Sequence, residues 1–229
     1  MEFGIENEVF EMDNSPLKIR RALPEKAEAL LILAHGAGAG MDSLFMRTFQ
    51  ENLARLGVQI VEFDFSYILT GRKTPSHKNR LMAEWRTVIE KETANGNQMP
   101  VFIGGKSMGG RIAGYIFPEY PYLSGLIFLG YPLHAPGKPE KLRAEHLFLI
   151  QKPMLFVSGT RDRLAQLELL QNVVQRLGKC ATLYSVENGD HSLQVPKRAP
   201  VSTDELWRQS CGKIVAWMDL ITKQPRSGS

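Results

Sequence analysis

The chain has 229 residues, 43% hydrophobic and 23% charged, with a formal net charge of +4. That composition is ordinary for a globular protein, and no apolar run approaches the roughly 20 residues that a membrane helix needs. The Lys and Arg residues are scattered among Asp and Glu without a basic tract, so neither a membrane nor a nucleic-acid partner is expected. Cys180 and Cys211 are too few for a disulfide framework or a zinc site and read as small apolar side chains. The stretch Met1 to Glu8 is acidic, without the cationic start and apolar core of a signal peptide, which makes a cytoplasmic location the expectation. Residues 1–223 are expected to form one domain, and the polar residues 224–229 a flexible C-terminal tail.

An antiparallel start is expected from Glu8 to Asp13 and Leu17 to Ala22. Strand-like runs follow at Ala29 to Ala34, Val58 to Phe63, Val101 to Gly104, Leu126 to Leu129, Met154 to Val157 and Ala181 to Val186. They alternate with helical patterns at Leu44 to Leu56, Lys78 to Ala94, Gly110 to Phe117, Leu164 to Leu177 and Asp204 to Ile221. Asp42 or Ser43 and Thr203 or Asp204 are cap candidates, and Pro118 and Gly178 are stop signals. Such alternation predicts an α/β fold with a mostly parallel, doubly wound sheet covered by helices on both faces. The Gly-, Thr-, Lys- and Pro-rich stretch Ser66 to His77 reads as a loop on the active-site side. Between Leu129 and Pro153 only one weak helix, Leu142 to Leu149, is expected, leaving no room for a separate cap domain.

Gly105-Lys106-Ser107-Met108-Gly109 is a G-x-S-x-G between a predicted strand and a predicted helix. There a serine is held in a strained turn that lifts its hydroxyl above the sheet, while the glycines let neighbouring backbone pass close by. Ser107 is therefore the candidate nucleophile. A serine needs a base, an orienting acid and an oxyanion site. The run Ala29 to Ala34 opens into His35-Gly36-Ala37-Gly38-Ala39-Gly40, whose backbone N–H groups suit an oxyanion; the N–H groups of Ala37 and Met108 are the candidates. Two later strands end in Gly159-Thr160-Arg161-Asp162 and Asn188-Gly189-Asp190-His191, which nominate Asp162 and His191. Asp64 and Asp190 compete as the acid, but Asp64 lies in an earlier loop and Asp190 reads as a turn former beside the histidine. His35 is expected to brace the oxyanion turn or touch substrate, Tyr131 is a candidate substrate contact, and His134 reads as a structural hydrogen bond to its turn-rich loop or as a substrate contact. Lys106 and Arg111 read as solvated cations or as selectors of an anionic substrate.

Other glycine readings fit less well. Gly105-Lys106-Ser107 matches the tail of a phosphate-binding loop, but Pro100 stands where its first glycine is needed. Gly36 to Gly40 resembles a dinucleotide motif, but Met41 stands where its third glycine is needed.

The strand, H-G-x-G loop, G-x-S-x-G turn, acid and histidine, in this order across nearly the whole chain, resemble an α/β-hydrolase. Within that superfamily the chain is similar to small predicted hydrolases that partly resemble dienelactone hydrolases and are related to testis-expressed and NSL-complex-subunit proteins of animals. Three passages carry this finer resemblance: Gly104 to Arg111, Gly130 to Arg143 and Gly189 to Leu193. Dienelactone hydrolases use a cysteine where this chain has Ser107, so their lactone substrate is not implied.

The expected function is a serine hydrolase that cleaves an ester, thioester or activated amide of a small, short-acyl substrate through an acyl-enzyme, with no metal or organic cofactor. The alternative is a catalytically idle fold that serves as a protein-interaction module, as the resemblance to NSL-complex subunits allows.

Overall fold

The computed structural model describes residues 2–94, 96 and 98–223; the tail expected at 224–229 lies outside the described residues. Eight strands share one sheet: β1 (Phe3–Met12), β2 (Ser15–Pro24), β3 (Ala29–Ala34), β4 (Val58–Asp64), β5 (Val101–Lys106), β6 (Gly125–Leu129), β7 (Met154–Gly159) and β8 (Ala181–Val186). Their spatial order is β1-β2-β4-β3-β5-β6-β7-β8. β1 and β2 form a hairpin through Asp13 and Asn14, at φ 48° and 57°, a left-handed pair that these two residue types tolerate. β2 runs antiparallel to β4, and every pairing from β4 to β8 is parallel. β1 is the sheet edge, where Ile5 and Val9 are exposed beside Glu6 and Glu11.

The helices are α1 (Leu44–Arg55), α2 (Ser66–Leu69), α3 (Lys78–Thr93), α4 (Met108–Ile116), α5 (Leu167–Leu177) and α6 (Thr203–Lys223). Because side chains alternate along a strand, each central strand feeds two cores. Leu30, Ile32, Ile103, Phe128 and Phe156 meet α3, α4 and α5 on one face. Leu31, Leu33, Phe102, Ile127 and Leu155 meet α1 and α6 on the other. Among the described residues no helix is long and apolar enough to cross a membrane.

Element ends differ from expectation for local reasons. Helix α4 starts at Met108, two residues early, because Ser107 itself occupies the N-cap position. Helix α5 starts at Leu167 rather than Leu164, because the Leu164 N–H donates to Asp162 Oδ1 and the chain is still turning there. Ser43 caps α1, as one of its two candidates. Ser202 caps α6 by accepting from the Glu205 N–H, while the Thr203 hydroxyl instead accepts from the Val195 N–H. The weak helix over Leu142 to Leu149 shrinks to a 3₁₀ turn at Glu145–Leu149, and no separate cap rises between β6 and β7.

Trp207 of α6 is buried, edge-on to Phe45 of α1 at 5.2 Å between ring centroids. Its Nε1–H donates to the Ser192 carbonyl at 3.1 Å, so the same residue packs two helices together and ties α6 to the loop after β8. Trp207→Ala is expected to lower the unfolding free energy by about 3–5 kcal/mol, read from denaturant melts at unchanged m-value.

Candidate active site

Strand β5 delivers Ser107 to the turn before α4 with φ 50° and ψ −114°, a conformation that side-chain-bearing residues rarely adopt. The turn closes only because its neighbours lack side chains. A Cβ on Gly109 would sit 2.3 Å from the Ala34 carbonyl oxygen, and one on Gly105 would sit 2.4 Å from the same atom. The Ser107 N–H is held by the Leu129 carbonyl at 3.0 Å, and Trp85 Nε1–H of α3 donates to the Gly109 carbonyl at 3.2 Å.

The loops after β7 and β8 meet this turn. His191 Nε2 lies 2.8 Å from Ser107 Oγ, and His191 Nδ1 lies 2.8 Å from Asp162 Oδ2. The two loops are stitched by backbone: Arg161 N–H donates to the Gly189 carbonyl, and Asn188 N–H donates to Thr160 Oγ1. Gly159 is required at this seam, since a Cβ there would lie 2.1 Å from the Gly189 carbonyl oxygen. The second Asp162 oxygen accepts from the Leu164 N–H at 2.8 Å, which orients the carboxylate towards the imidazole. Asp162 is buried and His191 is partly exposed, so the histidine faces the solvent side while the acid faces the core.

The Gly-rich loop after β3 lies against the serine. His35 is fully buried; its Nε2 accepts the Phe65 N–H, so its proton resides on Nδ1, which donates to the Gly36 carbonyl at 2.6 Å. Burial holds its pKa below the ordinary histidine value, which keeps the ring neutral in this role. Tyr67 Oη accepts from the Gly38 N–H at 3.1 Å, and Asp64 accepts from the Met41 N–H at 2.7 Å. Neither the Ala37 nor the Met108 N–H has a hydrogen-bond partner among the described residues. Both residues border, with Ser107, an open cavity of about 300 Å³.

The alpha/beta hydrolase domain family matches residues 27–219. The chain belongs to that family. Solved structures agree on the fold. A dienelactone hydrolase from Anabaena variabilis superposes with a TM-score of 0.73 at 17% identity, over 94% of this chain and 99% of that one. A lidless α/β serine hydrolase from Xanthomonas campestris gives 0.71 at 17% identity, over 93% and 94%. An α/β serine hydrolase homologue from Coxiella burnetii gives 0.70 at 16% identity, over 95% and 96%.

In this α/β-hydrolase the structure brings Ser107, Asp162, His191, Ala37 and Met108 together at one end of the sheet. Asp190 accepts from the Ser192 and Gln194 N–H groups as a turn former, and Asp64 braces the loop after β3. His35, Tyr131 and His134 are all buried and none lines the cavity, so Tyr131 is corrected as a substrate contact, while His35 and His134 take the bracing role that was the other reading of each. Tyr131 and Leu133 are buried, and the Leu133 N–H donates to the Tyr131 carbonyl at 2.9 Å, a tight turn about Pro132, which borders the cavity. The Tyr131 hydroxyl donates to the Arg143 carbonyl, and His134 Nδ1 lies 3.0 Å from the Ala135 carbonyl, so both brace the segment from inside. Pro75 and Ser76, in the stretch expected as an active-site loop, do reach the cavity, although that stretch begins as the short helix α2. Tyr67, Trp207 and Lys78 were not signalled by the sequence, because each comes from a separate element and sits in no motif; Arg143 closes the passage Gly130 to Arg143, which by itself assigns it no role. Among the described residues no group of three or more His, Cys, Asp or Glu side chains converges as a metal site would.

Lys106 is also corrected: it is buried rather than solvated. Strand alternation turns it away from the cavity, over the Phe45 ring at 5.6 Å, and its Nζ donates to the His191 carbonyl at 2.6 Å. The ammonium thus holds the backbone of the residue whose ring reaches Ser107. Burial pushes its pKa down to about 8, with Asp162 and Asp190 pulling partly back. Between that value and the ordinary 10.5 the unfolded chain binds a proton that the native protein has shed, so stability rises with pH in this window. Relative to Lys106→Met, the wild-type protein is expected to gain up to about 1.4 kcal/mol per pH unit above pH 8 and nothing below pH 7, measured by urea unfolding of both proteins.

Proposed function

We propose that this α/β-hydrolase is a serine hydrolase that cleaves an ester, thioester or activated amide through an acyl-enzyme. The observation that carries this reading is the unbroken relay Ser107 Oγ, His191 Nε2, His191 Nδ1, Asp162 Oδ2, with both contacts at 2.8 Å. In this reading Ser107 Oγ attacks the acyl carbon while His191 Nε2 takes its proton, and Asp162 keeps the ring in the right tautomer and stabilises its charged form. The free N–H groups of Ala37 and Met108 receive the oxyanion. His191 then gives the proton to the leaving group, takes one from a water that attacks the acyl carbon, and returns it to Ser107 Oγ as the acid leaves. An idle interaction module has no need of this alignment or of N–H groups left without partners beside it.

The experiment is labelling with a fluorophosphonate, which phosphonylates an activated serine. The wild-type protein is expected to be modified at Ser107 and Ser107→Ala is not; equal labelling of the variant removes Ser107 from the role. Hydrolysis by Ser107→Ala or His191→Ala is expected to fall on the order of 10³-fold or more.

Short acyl groups fit this site best, because no cap covers the cavity and its apolar wall is limited to residues such as Leu81, Ile112, Pro132 and Leu164. A buried methylene contributes about 0.8 kcal/mol, and carbons beyond the cavity gain only a fraction of that. In an aryl ester series from acetyl to palmitoyl, kcat/KM is expected to peak at short chains; a steady rise through the long chains overturns the short-acyl assignment.

A further inference from the structure

The wall of the cavity beside Ser107 carries charge of one sign only. Lys78 at the start of α3, Arg111 in the first turn of α4 and Arg143 in the segment between β6 and β7 all border it, and no aspartate or glutamate does. Among the described residues none of the three has a carboxylate within ion-pair distance, whereas Arg20, Arg21 and Arg80 each have two. Arg111 Nε is buried without any hydrogen-bond partner. A buried guanidinium N–H left unmade is costly, and unlike charges are the usual remedy.

The surroundings raise that cost. Arg111 sits four residues after Ser107, its own N–H bonded to the Ser107 carbonyl, so it follows the serine by one helical turn. A cation there opposes the positive end of the α4 dipole, and α4 has no acidic residue in its first turn to offset it. Burial and the neighbouring Arg143 both lower the Arg111 pKa. The groups packed beside it are aromatic: Tyr115 lies under the Lys78 ammonium at 4.5 Å, His146 lies flat on Tyr115 at 3.9 Å, and burial raises the pKa of the Tyr131 hydroxyl. His146 is itself pushed down to about 4 by burial and by the charges of Arg111 and Lys78. Among the described residues no carboxylate pairs with this cluster.

We propose that the cavity is an anion subsite, with Arg111 and Arg143 as its principal ligands, and that the substrate is an ester or thioester bearing a carboxylate a few bonds from the reacting carbonyl. This rests on the serine-hydrolase reading for the reaction but not for the binding. A carboxylate in the cavity supplies paired oxygens to the planar guanidinium groups that border it and places the acyl carbon next to Ser107. Arg111 and Arg143 are then specificity residues, and the chain discriminates an anionic from a neutral acyl group of equal length.

The test separates binding from turnover. For binding, calorimetry on Ser107→Ala compares monomethyl glutarate with its uncharged dimethyl ester. The monoanion is expected to bind about tenfold or more tightly, and the difference to shrink to below about threefold when Arg111→Gln or Arg143→Gln is added. Arg111→Lys is expected to keep part of it, and Lys213→Gln, on exposed α6 surface, all of it. Two independent arginine variants guard against one of them failing to fold. For turnover, kcat/KM of the otherwise wild-type enzyme is compared for 4-nitrophenyl hemiglutarate and 4-nitrophenyl pentanoate, with the ratio expected to favour the anion and to fall in the same variants. Equal binding of the charged and uncharged probes, or a preference that survives both arginine variants, overturns the anion subsite. Failure to hydrolyse either ester, with anion-selective binding intact, instead counts against the serine-hydrolase reading and leaves the subsite standing.

Discussion

One carbonyl oxygen organises the site. The Ala34 oxygen, at the end of β3, occupies the space that a side chain on Gly105 or Gly109 would need. Backbone can approach that closely only if both residues are glycine, and only that approach lets the chain reverse from β5 into α4 with Ser107 at positive φ. The serine and the Gly-rich loop after β3 are therefore set against each other by one contact, which is why Ala37 and Met108 flank the same cavity. The strain at Ser107 is held by the Leu129 carbonyl on one side and by Trp85 on the other.

The histidine is located by different means. Its loop has no regular structure, and its position comes from partners on three other elements: Lys106 of β5 on the His191 carbonyl, Trp207 of α6 on the Ser192 carbonyl, and the loop after β7 through Gly159 and Thr160. A buried ammonium is an expensive anchor, since desolvation opposes its charge. It is also a stiff one, because a charge-assisted bond of 2.6 Å to a carbonyl leaves the backbone little freedom.

The sequence made the central strands and the candidate triad readable for physical reasons. A strand buried on both faces is apolar nearly throughout, so β3, β6 and β7 appear as runs bounded by polar turns. A serine turn of this kind demands glycine at fixed offsets, so Ser107 announces itself, and Asp162 and His191 follow at later strand ends. Side-chain direction was not readable outside regular elements. Tyr131 was expected to contact substrate, yet the segment that holds it buries the ring and presents Pro132. Lys106 was expected in water, because a lysine in isolation gives no sign that the strand's alternation will bury it against Phe45. The pairing of Arg143 with Arg111 across the cavity joins two segments about thirty residues apart in sequence, with no motif that links them.

The edge strand β1 has a consequence for how the chain behaves in a crowd. Its outer side leaves a row of backbone donors and acceptors unpaired, and its apolar Ile5 and Val9 are exposed, a combination that invites copies to stack. Because β2 already fills its other side, β1 can accept only one further strand, and parallel in-register pairing with a second copy would place Glu6 over Glu6 and Glu11 over Glu11 at a spacing of about 4.8 Å, where like charges repel. The two carboxylates thus disfavour that pairing of copies.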